Sequence, residues 1–208
     1  EAVENWGRSE GMTEIVGPMG FTDMDKEGML VEGFEEDCTM ATYYNPSYYP
    51  QIVERLSYKK EVDWIQYRIK ANQEIPEKIL RINEVIKERY NLKIVDGLSA
   101  KQIAKRYGHK LFDTLNEAFS HLFGYVPLNE KQVQFYIDMY FPFLNKKLLC
   151  LIVDENDEIA AFGVSMPSLT EALRKSKGKL FPFGWYHFLK AINNFDNIDL
   201  YFNGVHPK

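Results

Sequence analysis

At 208 residues the chain is long enough to bury a core of its own. Charged residues make up 26% and the net charge is -5, so nucleic acid would have to find a local basic patch against the overall field. Only two cysteines, Cys38 and Cys150, stand far apart in unrelated settings, which suits free thiols in a reducing, cytoplasmic compartment better than a disulfide framework.

The first residues, EAVENWGRSEG, read as the end of an amphipathic helix stopped by Gly11, and MTEIVG after it as a short strand closed at Gly17-Pro18. In FTDMDKEGMLVEGFEE, Asp23, Asp25 and Glu27 alternate ahead of Gly28, a spacing that invites a calcium loop. Counting from Asp23, however, the twelfth position is Phe34 where a bidentate Glu is needed, and GPMGF cannot supply the entering helix. The stretch is therefore expected to be a polar turn leading into a strand, MLVEGF. CTMATYYN predicts another strand, ended by Pro46. PQIVERLSY predicts a short helix and VDWIQYRI a strand. Residues 71–76, ANQEIP, change texture and read as a linker.

Beyond the linker, EKILRINEVIKERYN has helical spacing and LKIVDGL reads as a strand. KQIAKRYGHKLFDTLNEAFSHLF predicts a long helical tract interrupted near Gly108, and a further helix is expected from about Glu130 to Phe141. KLLCLIVDENDEIAAFGVSM predicts a β-hairpin turning at DENDE. LTEALRKSK and PFGWYHFLKAINNF predict helices, and IDLYFNGVHPK a strand. The longest apolar runs have strand length, so neither a membrane span nor a membrane partner is expected. The fold class that results is α/β in the α+β sense: a mixed, mostly antiparallel sheet flanked by helices.

No histidine stands at metal-ligand spacing, and there is no phosphate loop or nucleophile elbow. LSAKQIAKRYG places Ala104 and Gly108 like a helix-turn-helix. The helix after it would present Asp113, Asn116 and Glu117 with Lys110 as its cation, poor equipment for phosphates, and nucleic-acid binding is not expected. Tyr43, Tyr44, Tyr48 and Tyr49 crowd around Asn45 and Pro46. A phenol there suits either packing or general-acid work.

NPSYYPQIVERLSYKKEVDWIQY resembles the closing segment of an acyltransferase of the GNAT superfamily: an Asn after a strand, a short helix carrying Tyr, then a turn into the last strand. That turn is Leu56-Ser57-Tyr58, without the usual glycine. From Leu92 onward the order strand, helices, hairpin, helix, strand resembles the opening half of a second such domain, with GVHPK just ahead of the coenzyme's pyrophosphate loop. The resemblance implies residues 1–70 as the last half of one domain, 71–91 as linker and helix, and 92–208 as the first half of another.

It further implies acyl transfer from acetyl-CoA or another acyl-CoA to a small-molecule or peptide amine, without metal. Asn45 would lie beside the pantetheine, with Tyr49 or Tyr48 as general acid. Glu32, between apolar neighbours, would be the base or amine-binding carboxylate, unless it is an ordinary solvent-facing position. Asn203, Gly204 and Val205 would offer backbone groups to the pantetheine at a free strand edge. His206-Pro207-Lys208 would form the lip of the pyrophosphate cradle. A catalytically inactive scaffold of the same fold, binding a ligand or partner, is the alternative.

Overall fold

The computed structural model describes residues 1–22, 24–71, 74–141 and 144–207. Asp23 and Lys208, and with them parts of the calcium-loop and cradle-lip readings, lie outside the described residues, as do Asn72 and Gln73 of the linker. By internal contacts the chain divides after Lys59 into two units.

The first unit, Glu1–Lys59, holds two helices, α1 (Ala2–Ser9) and α2 (Tyr49–Arg55). The expected strands at MTEIVG, MLVEGF and CTMATYYN do not form: these segments are extended or turning and join no β-ladder among the described residues. A strand is stable only when its amides find a ladder, and an apolar-rich run without one stays irregular. Side chains do that work instead. Asp25 accepts hydrogen bonds from the backbone N–H of Phe21 (2.9 Å) and Thr22 (3.2 Å), closing the polar turn that the alternating carboxylates introduce.

The second unit begins at Lys60. Its opening run, VDWIQYRI, is extended without forming a strand of the sheet, and its Trp64 ring lies 6.2 Å from that of Phe123. Helix α3 (Glu77–Arg89) leads to a short strand β1 (Lys93–Ile94), then come helices α4 (Ala100–Phe119) and α5 (Glu130–Tyr140). Both are started by capping boxes, Ser99 with Gln102 and Asn129 with Gln132, each satisfying orphan amides of the first turn. α4 runs unbroken through Gly108, so the interruption expected there is absent. A Cβ at Gly108 would sit 3.0 Å from Ile137 Cδ1; the missing side chain lets α5 approach α4 and marks no turn. The helix-turn-helix reading loses its turn with it. Asn116 is not free to read bases either. Its amide receives the N–H of Leu128 and the Tyr125 hydroxyl and donates to the Leu128 carbonyl, pinning the α4–α5 loop.

Strands β2 (Leu149–Val153) and β3 (Ile159–Pro167) form the expected hairpin, and β4 (Ile198–Val205) follows a helical pair, α6 (Thr170–Ser176) and α7 (Gly184–Asn193). The sheet has the order β1-β2-β3-β4, antiparallel throughout. The fold is thus mixed helix and sheet, with seven α-helices and four strands among the described residues. The core is built where α4 covers β3 and β4 on one sheet face and α5 packs against α4. Ile103, Tyr107, Leu111 and Leu115 recur at helical spacing along α4 and are buried with Val133, Ile137, Leu151, Phe162 and others.

The hairpin turn is clamped onto α4. Asp157, at a left-handed φ of 63°, accepts hydrogen bonds from Tyr107 Oη (2.6 Å) and Arg106 Nε (3.1 Å), while Lys110 Nζ reaches the Asp157 carbonyl (2.7 Å) and Glu158 (2.8 Å). These bonds, led by that of Tyr107, hold the Asp157 carboxyl below the usual carboxylate range.

Candidate active site at the edge of the sheet

β4 is the last strand of the sheet, and no strand pairs with its outer side among the described residues. On the inner side it follows β3 closely, and the N–H of His206 continues the ladder to the Ala160 carbonyl at 2.8 Å. The outer backbone groups of Asn203 to Val205 therefore lie along an open edge, the geometry an added extended chain of amides would use. Gly204 is the buried member of the three. Opposite Phe162 in register, it has no room for a side chain: a Cβ would come within 2.4 Å of the Phe162 ring and 3.4 Å of Ala118. Asn203 and Val205 are exposed. Beyond them the His206 ring pairs with Glu117 of α4 at 2.9 Å, fixing the exit of the strand.

The strand is also irregular where chemistry could use it. Val164 pairs with Phe202 but Ser165 with Leu200, so Tyr201 is an extra residue, a β-bulge in β4. Bulges bend a strand and re-aim its side chains, and they recur next to active sites. Two residues before the bulge's exit stands Asp199. Its side chain is half-buried, and burial pushes its carboxyl above the usual range, only partly offset by a hydrogen bond with the Ser168 side chain. Tyr201 is pushed up as well, first by burial and then by the nearby negative charge of Asp199 and by Tyr140, so its phenol stays protonated. Asp199 and Tyr201 thus stand on either side of Leu200 at the bulge, a carboxyl and a phenol whose proton affinities burial raises.

Asp199 and Tyr201 were not singled out from sequence. The available signal was modest: an acid at the start of a run, DLYFNGV, whose other members are apolar, small or amide-bearing.

Of the residues expected from sequence, Asn203, Gly204 and Val205 fall together on this edge. Glu32, Asn45, Tyr48 and Tyr49 fall in the first unit. There the Asn45 amide acts as a backbone substitute: Oδ1 accepts from the N–H of Leu30 (2.7 Å) and Nδ2 donates to the Leu30 and Pro46 carbonyls (both 3.1 Å). Tyr48 and Tyr49 lie beside each other with tilted rings, centroids 5.1 Å apart, at the start of α2, and both are exposed. Glu32 is exposed on a bend rather than on a strand. The turn that lacked its glycine keeps the glycine's conformation: Ser57 has a φ of 70°, and Tyr58 donates to Glu4 at 2.7 Å.

No family model matches the chain, and no solved structure matches it at a significant level. Two curated proteins do. A bacterial ceramide synthase of Caulobacter vibrioides is 28% identical over 192 residues, covering 90% of this chain and 48% of that protein. The protein YghO of Escherichia coli is 26% identical over 200 residues, covering 90% of this chain and 47% of its own length. The chain thus spans about half the length of the curated relatives it matches. Among the described residues no helix is long and apolar enough to cross a membrane.

Proposed function

We propose that this chain carries part of the active site of an acyl-CoA-dependent N-acyltransferase of the GNAT type, with Asp199 as the proton acceptor. The observation that carries the reading is the half-buried carboxyl of raised basicity on β4, beside a bulge and an open edge. Three further facts support it. The element order β1, α4, α5, β2, β3, β4 in an antiparallel sheet agrees with the expectation from resemblance. The edge at Asn203–Val205 offers the backbone contacts a pantetheine arm would take. One curated relative is named a ceramide synthase.

The chemistry follows from the site. An amine attacks a thioester only as its neutral form, so the ammonium must lose a proton; Asp199 takes it, directly or through a water, and its elevated affinity for protons makes it a better acceptor than an ordinary carboxylate. The nitrogen lone pair then bonds to the thioester carbonyl carbon, the nitrogen sheds its second proton as the C–S bond breaks, and one proton returns to the departing thiolate, leaving an amide and a free thiol. Tyr201, held neutral, donates a hydrogen bond at the same edge. Tyr48 or Tyr49 as thiolate acid, Asn45 at the pantetheine and Glu32 as amine ligand remain proposals of the resemblance for the first unit.

The amide of a ceramide joins a fatty acyl group to the amine of a long-chain base. By likeness to the relative so named, the acceptor proposed here is a long-chain amino alcohol and the donor a fatty acyl-CoA rather than acetyl-CoA. The two thiols, neither in a disulfide, suit a cytoplasmic setting. The test incubates the full-length natural protein with a fatty acyl-CoA and a long-chain amino alcohol. Mass spectrometry should find the N-acyl product and one free coenzyme thiol per amide formed. Absence of both products with long-chain and acetyl donors alike would leave the inactive scaffold as the better reading.

A further inference from the structure

The α6–α7 pair ends in a short loop, Lys177 to Phe183, that carries its largest side chains outward. Leu180, Phe181 and Phe183 are 54%, 79% and 73% exposed. The loop is braced, not slack. Gly178 N–H bonds to the Leu173 carbonyl (3.0 Å) and Lys179 N–H to that of Ser176 (3.0 Å). Trp185 donates its backbone N–H to the Leu180 carbonyl (2.9 Å) and its indole N–H to that of Pro182 (3.0 Å). Lys177 at φ 51° and Gly178 at φ 71° make the reversal. Gly184 has no room for a Cβ because the Lys179 carbonyl lies against it. The exposure of the two phenylalanines is therefore built into the turn.

The first turns of α7 extend the same surface. Gly184 is buried and Phe188 and Ala191 are half-buried on the inner side. Trp185, Leu189 and Ile192, spaced one and two turns apart, form a second, exposed row. An apolar strip this continuous marks a docking surface.

Charge selects the occupant. From Glu171 to Asp196 the chain has five cations, Arg174, Lys175, Lys177, Lys179 and Lys190, against the two acids at its ends, Glu171 paired with Lys175, in a chain whose net charge is -5. Lys177 and Lys179 precede the exposed phenylalanines in the same loop and are themselves exposed. Helix α3, which also exposes apolar residues, differs: Ile79, Ile82 and Ile86 stand among Glu77, Glu84 and Glu88 interleaved with Lys78, Arg81, Lys87 and Arg89. Aromatic side chains, Trp and Tyr included, over a collar of lysines are the composition that settles at the interface of an anionic bilayer.

We propose that the α6–α7 tip docks on an anionic lipid surface, Phe181 and Phe183 entering the headgroup layer and Lys177 and Lys179 pairing with lipid phosphates. The sequence-based expectation of no membrane partner rested on the lack of a span, and a surface-lying element needs none. The proposal is independent of the acyl-transfer reading.

The test is co-sedimentation of the full-length natural protein with vesicles of phosphatidylcholine alone or mixed with phosphatidylglycerol. Binding should require the anionic lipid and weaken with salt. F181S/F183S should lower the partition coefficient about tenfold or more. K177E/K179E should lower it similarly on anionic vesicles. All four side chains are exposed, so the variants should keep the parent's melting temperature. Failure to bind anionic vesicles, or binding that the tip variants leave unchanged, overturns the proposal. So does strong protection of Trp185 from aqueous quencher in the vesicle-free full-length protein, which would mean that another part of the protein covers the strip.

Discussion

The two units solve the same problem by different means. Between Glu1 and Lys59 the only buried residue among those described is Thr22, and order comes from side chains that stand in for a ladder: Asn45 on Leu30, Asp25 on Phe21 and Thr22, Tyr44 on the Phe34 carbonyl. From Lys60 onward, α4 buries a continuous apolar row between α5 and the sheet, and the polar contacts mostly pin turns. Apolar alternation alone did not make strands in the first unit. In the second, the same kind of pattern became a sheet because a tight turn put one run beside the next.

That difference sets where substitutions should hurt. The largest structural effect is expected at Gly204→Ala, which would drive a methyl into the Phe162 ring; about 1–3 kcal/mol should be lost in urea unfolding of the second unit. A loss near zero would mean the strand can shift outward, and that its edge is softer than the packing implies.

Tyr107→Phe comes next. It removes the shortest hydrogen bond to the Asp157 carboxylate while keeping the buried ring, and should cost about 1–2 kcal/mol. Because the folded-state carboxyl of Asp157 is lowered, its stabilisation is present above the unfolded carboxylate pKa, about 3.9, and is lost as pH falls through the lower folded value. Melting temperatures from neutral to strongly acidic pH should fall less steeply at the acid end for Tyr107→Phe than for the parent.

In the first unit Asn45→Ala should cost about 1 kcal/mol and speed hydrogen exchange at the Leu30 amide, leaving core amides such as Leu151 unaffected. Uniform acceleration would show that the tethers matter to the whole chain. The smallest effect is at Ser57, whose left-handed φ a glycine adopts freely: Ser57→Gly should be neutral or stabilising by a few tenths of a kcal/mol, whereas Ser57→Val should destabilise.

What could be read from sequence follows the same divide. The β2–β3 hairpin, the α4 and α5 helices and the β4 edge were legible because period and turn chemistry agreed there with burial. The strands expected before residue 60 were not, nor was VDWIQYRI at the start of the second unit, since whether an extended run finds a partner is a property of tertiary contact. Gly108 misled for a related reason: a glycine that ends a helix and one that admits Ile137 look alike in sequence. At the site, Asn203 to Val205 were legible as backbone. Asp199 was not, because its raised proton affinity comes from burial and from a bulge at Tyr201 that no local pattern announces.

Asp199 also makes the central claim directly measurable. Its folded-state carboxyl is raised, so its ionisation opposes folding: stability should decline as pH rises from the unfolded carboxylate pKa through the folded value, and Asp199→Asn should remove that decline. The decisive measurement is thiol release from acyl-CoA by the full-length natural protein and its Asp199→Asn variant, in the presence of a long-chain amine and across pH, with the melting temperature of each. Loss of turnover by about 10²-fold or more, with a melting temperature at neutral pH equal to or above the parent's, is the expected result. Turnover within about twofold of the parent, a difference of about 0.4 kcal/mol, would contradict the assignment of Asp199 as the proton acceptor.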